Sequence, residues 1–347
     1  MYPVVLPDLA VPLAPLTTLR LGGPARRFVE AESADEVVEA LREPALVIGG
    51  GSNLVIADAG WPGTVVRISS RGRRVERRPG GSVLLTVEAG EEWDDVVAAT
   101  VADGLGGLEC LSGIPGRTGA VPVQNVGAYG VEIAETLVDV DLLVDGAVRR
   151  VPAAELGLAY RTSVLKGRSD AVVLRVRFAL PGDARSAPIR YAELARALGV
   201  APGERVPAAV AREAVLALRR AKGMVLDPAD PDTRSAGSFF TNPVLTQAQF
   251  ERLEPAVAAG TRIPRFPAPG GQVKIPAAWL IEQVGFTKGY PGGTGPRISG
   301  KHTLALVNPG GATADSLVIL AREIRDGVLA RFGVELTAEP TLIGLKL

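Results

Sequence analysis

The sequence predicts an α+β protein of more than one domain, and three observations carry that expectation. Its 347 residues exceed the roughly 100 to 200 over which a single core ordinarily forms. The first half reads as strands with few helices, while the last third is mixed and holds one long amphipathic helix. Between them, Pro181-Gly182-Asp183 and Pro202-Gly203 bracket a polar stretch that suits a domain boundary.

In chain order, Ser33-Ala34-Asp35-Glu36 matches a capping box ahead of Val37, Val38 and Leu41, so a helix is predicted over about 34–43, ending before Pro44. Residues 45–48 read as a buried strand, and 63–68 and 82–88 as further strands. A second helix covers 92–102 and is closed by Gly104. Residues 104–130 then form a long segment dense in Gly and Pro. Loops beyond about 12 to 15 residues are usually functional or disordered, and the apolar and amide content of this one argues against disorder. Val138, Val140, Leu142 and Val144 alternate with polar positions up to Asp145-Gly146, and 148–151 returns, which is a hairpin signature; 171–180 is another strand.

Short and longer helices follow at about 192–198 and 208–222, then an acidic turn from Asp227 to Asp232, a strand near 238–244 and helices near 246–258 and 276–284. Residues 303–308 read as a strand. Leu317, Leu320, Ile324, Val328 and Phe332 recur at helical spacing as the apolar face of a long helix, and a last strand is predicted over 335–343.

Composition narrows the function classes. Apolar residues make up 47% and charged residues 22%, which excludes a disordered chain. Lys+Arg and Asp+Glu are both 38, so no global field exists to hold nucleic acid or an anionic bilayer. One cysteine, Cys110, and one histidine, His302, leave neither an internal disulfide nor enough ligands for a structural zinc site, and no metal is expected. Residues 1–23 carry Pro3, Pro7, Pro12 and Pro15 with no basic segment ahead of an apolar run, which does not read as a secretory signal. No apolar stretch reaches the roughly 18 residues of a membrane span, so a cytoplasmic protein is expected, acting as a monomer on small molecules.

Two loops carry the candidate chemistry. Gly49-Gly50-Gly51-Ser52-Asn53 follows a strand directly, so consecutive backbone N–H groups could line up around a phosphate without side-chain obstruction. Leu54 stands where a dinucleotide fingerprint has its last glycine, and no Walker lysine follows, which argues against Rossmann and P-loop sites. A glycine triplet alone is equally an ordinary tight turn. The second loop runs through Ser112-Gly113-Ile114-Pro115-Gly116-Arg117-Thr118-Gly119-Ala120 and on to Gln124-Asn125-Val126-Gly127-Ala128-Tyr129-Gly130. Small residues and uncharged hydrogen-bonding groups suit a heterocycle and a diphosphate, a long connector being the alternative.

These loops, together with Thr18-Leu19-Arg20-Leu21-Gly22-Gly23-Pro24-Ala25, Tyr160-Arg161-Thr162-Ser163, Gly237-Ser238-Phe239-Phe240-Thr241-Asn242-Pro243 and Ala338-Glu339-Pro340, resemble the UDP-N-acetylenolpyruvoylglucosamine reductase family in the family's own order. The resemblance implies an FAD-binding domain of the vanillyl-alcohol-oxidase (PCMH) type plus a smaller α+β substrate-binding domain, with FAD held non-covalently. It implies NADPH as reductant and the enolpyruvyl ether of a UDP-amino sugar as oxidant. Under it the FAD-binding domain spans 1–205 in two lobes, about 1–70 and 71–205, and the substrate-binding domain spans 206–320. Residues 321–347 supply a helix and strand that can return to the first domain.

Residue by residue, the resemblance puts the cofactor contacts on Gly49, Gly50, Gly51, Ser52, Asn53, Gly113, Ile114, Pro115, Gly116, Gly119, Ala120, Gln124, Asn125, Gly127, Ala128 and Tyr129. Arg161 matches the catalytic arginine, Ser238 the proton donor and Glu339 the glutamate. Tyr160, Tyr191, Lys222 and Asn242 match substrate contacts, Tyr191 being the gripping tyrosine of the subclass with an extra tyrosine loop; His302 stands where some relatives carry Gln.

The chemistry suits these types. Hydride addition to an enolpyruvyl methylene leaves enolate character beside the carboxylate. A planar, always-protonated guanidinium such as that of Arg161 can hold that carboxylate through paired N–H groups. A placed serine hydroxyl can protonate the strongly basic carbon. Glu339 near a developing enolate must be protonated or hydrogen-bonded through water, since a bare carboxylate would repel it. A Ser-His-Asp hydrolase is the rival for any catalytic serine, but no G-x-S-x-G elbow is present. Lys222, with Arg219 and Arg220 nearby, can meet a diphosphate or simply cap a helix C-terminus. A flavin oxidase and a silent nucleotide-sugar binder are the alternative functions; the 49–53 loop lacks the histidine some oxidases use to attach flavin.

Overall fold

The computed structural model describes residues 4–6, 10–258 and 260–347; Pro3 and Pro7, read in the N-terminal segment, lie outside the described residues. The chain divides into two compact units. The first is made mainly of Pro24–Gly51 and Trp61–Val225, the second of Pro12–Gly23, Ser52–Gly60 and Leu226–Leu347. These divisions differ from the boundaries expected at 205 and 320: the helix Ala208–Ala221 falls with the first unit, and the C-terminal helix and strand stay with the second.

Two sheets build the first unit. In one, Pro24–Ala31 and Ala45–Ile48 lie parallel to Trp61–Ile68 on its two sides, and Val4–Leu6 adds an antiparallel edge. The helix Ala34–Ala40 begins where the capping residues predict: Ser33 Oγ accepts from Glu36 N, while the Glu36 carboxylate takes Glu32 N. The other sheet is antiparallel, in the order Ala147–Pro152, Leu137–Val144, Ala171–Pro181, Ser82–Glu88, Arg73–Arg77. Its apolar face (Leu85, Val140, Val176, Phe178) meets Trp93, Val96 and Val97 of the helix Trp93–Ala102, and burying each such side chain contributes about 1.5–3 kcal/mol. Pro24–Ala31 escaped the sequence reading because Arg26, Arg27 and Glu30 leave no clean alternation.

The second unit closes around the long helix Ala314–Phe332, whose Leu317, Leu320, Ile324, Val328 and Phe332 are all buried, as their spacing predicts. Thr313 Oγ1 caps Ser316 N, and the Asp58 carboxylate, from the Ser52–Gly60 excursion, takes the N–H groups of Ala314 and Asp315. A three-stranded sheet pairs Ser235–Ser238 and Arg297–Ile298 with Ala305–Val307, and Leu54–Ile56 runs parallel to Thr341–Ile343.

Three expected elements are shorter or displaced. The strand placed near 238–244 splits into Ser235–Ser238 and Val244–Leu245, because Pro243 has no N–H to give and Phe239 and Phe240 turn into the core. The helix expected to 258 ends as Gln247–Leu253, since Pro255 imposes a tighter turn. Only Thr341–Ile343 of the predicted last strand forms; Pro340 interrupts it, and Ala338 makes an isolated bridge to Phe240.

Candidate active site

In the first unit the strand Ala45–Ile48 delivers the chain into Gly49, Gly50 and Gly51. There the two Gly-rich loops meet backbone to backbone. A Cβ on Gly50 would lie 2.7 Å from the Gly116 Cα, an atom that cannot yield, so only glycine fits. Among the described residues no protein acceptor takes the N–H of Gly49, Gly50 or Gly51. Three consecutive unspent donors on a side-chain-free turn fit the diphosphate of FAD.

The second loop is strapped down rather than loose. Trp93 N donates to Gly116 O (2.9 Å), Thr118 N to Glu91 O (2.9 Å) and Gly119 N to Ala89 O (2.8 Å). Arg117, buried within the loop, donates to Gly90 O at 2.5 Å and sits 3.0 Å from the Glu92 carboxylate. Gly113 N donates to Asp94 Oδ1 at 2.6 Å. Burial pushes the Asp94 carboxyl up, but its two bonds from Arg212 and the Gly113 N–H outweigh that and hold it below the usual range. Ile114, Pro115, Gly116 and Gly119 are half-buried along this loop, whereas Ala120 is exposed.

Asn125 shapes the loop through its side chain. It is buried in the left-handed region (φ 46°), its amide donates to Glu132 Oε2 (2.7 Å) and Ala159 O (3.1 Å), and its oxygen accepts from Ala134 N (3.2 Å). The neighbouring Gln124, Gly127 and Ala128 are all half-buried.

The same segment receives Arg161. The turn Ala159 to Thr162 closes with two backbone bonds, and Arg161 occupies it at φ 54°, a conformation that favours glycine. Arg161 Nη2 donates to Gly127 O at 2.6 Å, Nη1 lies 3.9 Å from Glu132 Oε1, and the guanidinium is 5.2 Å from the Tyr160 ring centroid. A Cβ on Gly127 would come within 2.7 Å of Glu132 Cγ and 3.2 Å of Arg161 Nη1. Ser163 Oγ anchors the turn on Val123 O (2.7 Å).

Tyr129, Tyr191 and Lys222 also converge in the first unit, so Lys222 does not stand in the substrate domain that the sequence boundaries gave it. The Tyr129 and Tyr191 rings meet edge to face at 5.5 Å, and Lys222 Nζ lies 5.9 Å from the Tyr129 centroid. Burial pushes the Tyr129 hydroxyl up to about 12, so it stays a proton donor at neutral pH. Glu193, which the sequence reading passed over, bonds Lys222 Nζ at 2.5 Å; no motif signals it.

In the second unit long-range backbone pairing joins the segment of Glu339 to Phe239 and Phe240, the residues after Ser238. Ser238 ends the strand Ser235–Ser238; Phe239 N donates to Leu304 O, and Glu339 N donates to Phe239 O at 2.9 Å. Asn53 Nδ2 donates to Glu339 O (3.3 Å) and Asn53 O accepts Thr341 N–H (2.9 Å), so Ser52 and Asn53 belong with these residues by fold. Asn242 lies nearby in sequence, but its side-chain oxygen accepts Ala277 N at the start of the helix Ala277–Gln283. His302 follows a loop that Asp232 fixes through Arg297, Ser299 and Gly300; burial raises the Asp232 carboxyl, and those donors lower it overall. Cys110 is fully buried in the first unit and its thiol is pushed up by that burial, in keeping with its reading as a small apolar residue.

Comparison with known proteins bears on both units. Residues 228–343 match the family model described as UDP-N-acetylenolpyruvoylglucosamine reductase, C-terminal domain, and residues 25–151 match an FAD binding domain. Curated relatives named UDP-N-acetylenolpyruvoylglucosamine reductase include one from Saccharopolyspora erythraea, 60% identical over 96% of this chain and 95% of its own. Another, from Thermobifida fusca, is 54% identical over 97% of this chain and 98% of its own. The crystal structure of the reductase of that name from Thermus caldophilus matches with a TM-score of 0.65 at 26% identity, covering 99% of both chains. The fold class expected, α+β with an FAD-binding domain, is borne out.

Proposed function

Because the chain belongs to the UDP-N-acetylenolpyruvoylglucosamine reductase family, we propose that it reduces UDP-N-acetylenolpyruvoylglucosamine to UDP-N-acetylmuramate in peptidoglycan precursor synthesis. The reading takes NADPH as reductant, with NADPH leaving before the sugar nucleotide reacts. When bound, FAD supplies hydride transfer from one nucleotide to the other. The observation that supports the reading is the bond from Glu339 N to Phe239 O, which joins the backbone at Glu339 to the residue after Ser238 across a long stretch of sequence.

Each side chain then has a role its chemistry allows. Gly49, Gly50 and Gly51 offer backbone N–H groups to the cofactor diphosphate, and the half-buried loop through Gly116, Gly127 and Ala128 gives the flavin ring a wall of small residues. Arg161 grips the substrate carboxylate as charge grows there. Ser238 delivers its proton to the carbon next to that carboxylate. Glu339, held neutral or through water, donates a hydrogen bond to the developing enolate; an unchanged pH profile in Glu339→Gln would count against this. Lys222 meets the substrate diphosphate, and Tyr191, as the tyrosine of the extra-loop subclass, closes on the sugar nucleotide beside it.

Non-covalent flavin is supported by the 49–53 loop, which carries no histidine, and by Cys110, which is buried with its thiol pushed up by that burial. Flavin is expected in the supernatant after acid denaturation. No helix among the described residues is long and apolar enough to cross a membrane, and the proposal places a monomer in the cytoplasm. Anaerobic addition of NADPH should bleach the flavin absorbance, and the enolpyruvyl sugar nucleotide should restore it. Bleaching without restoration by that substrate, but with restoration by oxygen, would instead make the chain an oxidase.

A further inference from the structure

The charge on Lys222, read above as the diphosphate-binding lysine, is already matched. Its Nζ lies 2.5 Å from Glu193 Oε2 and 5.9 Å from the Tyr129 ring centroid. Glu193 stands two residues after Tyr191, in the first turn of the helix Ala192–Leu198, and the Tyr191 ring meets Tyr129 edge-on. The segment is tied down beside them: Arg190 Nη1 donates to Glu135 Oε2 at 2.8 Å and to Gly130 O at 3.3 Å. Tyr129, Tyr191 and Lys222 therefore share their neighbourhood with a carboxylate that works against the role given to them. A carboxylate repels a diphosphate, and this one takes the ammonium that the diphosphate needs. Side-chain exposures of 30% for Lys222 and 31% for Glu193 leave the pair open to water, where such pairs hold weakly and exchange readily.

We infer that Glu193 is an exchangeable counter-ion that holds the Lys222 ammonium over Tyr129 and gives it up to the diphosphate of the sugar nucleotide, so that it tempers the affinity for that ligand. The inference rests on the proposed role of Lys222. A neutral nucleoside gains nothing from Lys222 and cannot displace the carboxylate. A diphosphate, with more charge and more acceptor oxygens than one carboxylate, can. Glu193 thus lowers affinity only for ligands that use the lysine: it tempers how tightly the diphosphate is held and leaves a neutral nucleoside untouched.

The test is calorimetric titration of the flavin-bound protein with uridine diphosphate and, separately, with uridine, for the parent, Glu193→Gln, Glu193→Ala, Lys222→Met and the Glu193→Gln/Lys222→Met pair. Removing the carboxylate should tighten uridine diphosphate binding about 3- to 10-fold, the scale of an exposed ion pair. Uridine binding should not change, and the gain should vanish when Lys222 is Met. Should Lys222→Met leave uridine diphosphate affinity untouched, the role of Lys222 is refuted and the inference falls with it. Should Lys222→Met weaken binding while both Glu193 variants bind uridine diphosphate no better, or worse, Glu193 is a brace for the lysine and the inference alone is overturned.

Discussion

The two units solve the problem of placing reactive groups in opposite ways. In the first, backbone is proposed to do the binding and side chains are kept out: Gly50 packs on Gly116 with no room for a methyl group, and Gly127 is pinched between Glu132 and Arg161. In the second, the side chains proposed to do the chemistry stand on segments joined by backbone pairing across long separations: Phe239 to Leu304, Glu339 to Phe239, Thr341 to Asn53. The contrast teaches that a glycine turn is written as residue type and the approach of distant segments as topology. Arg161 is the exception that joins both styles, a side chain proposed to grip the substrate and carried on a left-handed residue.

Replacing Ser238 by Ala tests the second style most severely. It should slow flavin reoxidation by the sugar nucleotide about 100-fold or more, the scale of losing a general acid, while NADPH-driven bleaching proceeds at the parent rate in stopped-flow traces. Equal damage to both half-reactions would remove Ser238 from the proton transfer. Exchanging Arg161 for Lys should slow the same half-reaction about 10- to 100-fold, because an ammonium lacks the paired geometry; its ligation to Gly127 O would be lost as well.

Gly50→Ala probes the first style. The new Cβ would meet backbone at 2.7 Å, and such overpacking costs about 1–3 kcal/mol. Purified protein should carry less flavin and melt lower, while the flavin-loaded fraction turns over normally. The mildest contrast concerns acid. Asp94 in the first unit and Asp232 in the second both have carboxyls held below their usual range in spite of burial, Asp94 by Arg212 and the Gly113 N–H, Asp232 by Arg297, Ser299 and Gly300. A depressed folded value means the stabilisation is complete above the unfolded carboxylate value of about 4 and is lost as pH falls through the folded value. Melting temperature should therefore hold from neutral pH to about 4 and drop below it. Asp94→Asn should flatten that drop and release flavin, whereas Asp232→Asn should flatten it without flavin loss.

What could be read in advance follows from this division. The helix Ala314–Phe332, the strands Ala45–Ile48 and Ser82–Glu88 and the hairpin at Asp145-Gly146 were legible because local pattern and capping alone specify them. The strand Pro24–Ala31 was not, since it has a sheet neighbour on each side and shows no alternation, nor was the break at Pro243 that pulls Phe239 and Phe240 inward. Among the candidate site residues, both glycine loops announced themselves. That the Asn125 side chain is consumed by Glu132, Ala159 and Ala134, that Arg117 is buried inside its loop, and that Glu193 opposes Lys222 left no trace in residue spacing.

The sequence by itself determined where the chain turns without side chains, which helical face is apolar, and which residue types stand ready for a carboxylate, a proton and a diphosphate. Those are consequences of local sterics and periodicity, complete within a few residues. Only the tertiary structure decided that the Ser52–Gly60 excursion belongs with the C-terminal part of the chain, that Glu339 is bonded beside Ser238, and that Lys222 folds with the first unit. Such choices are made by backbone donors and acceptors finding partners hundreds of residues away, and nothing local in a side chain's identity records which partner a distant N–H will take.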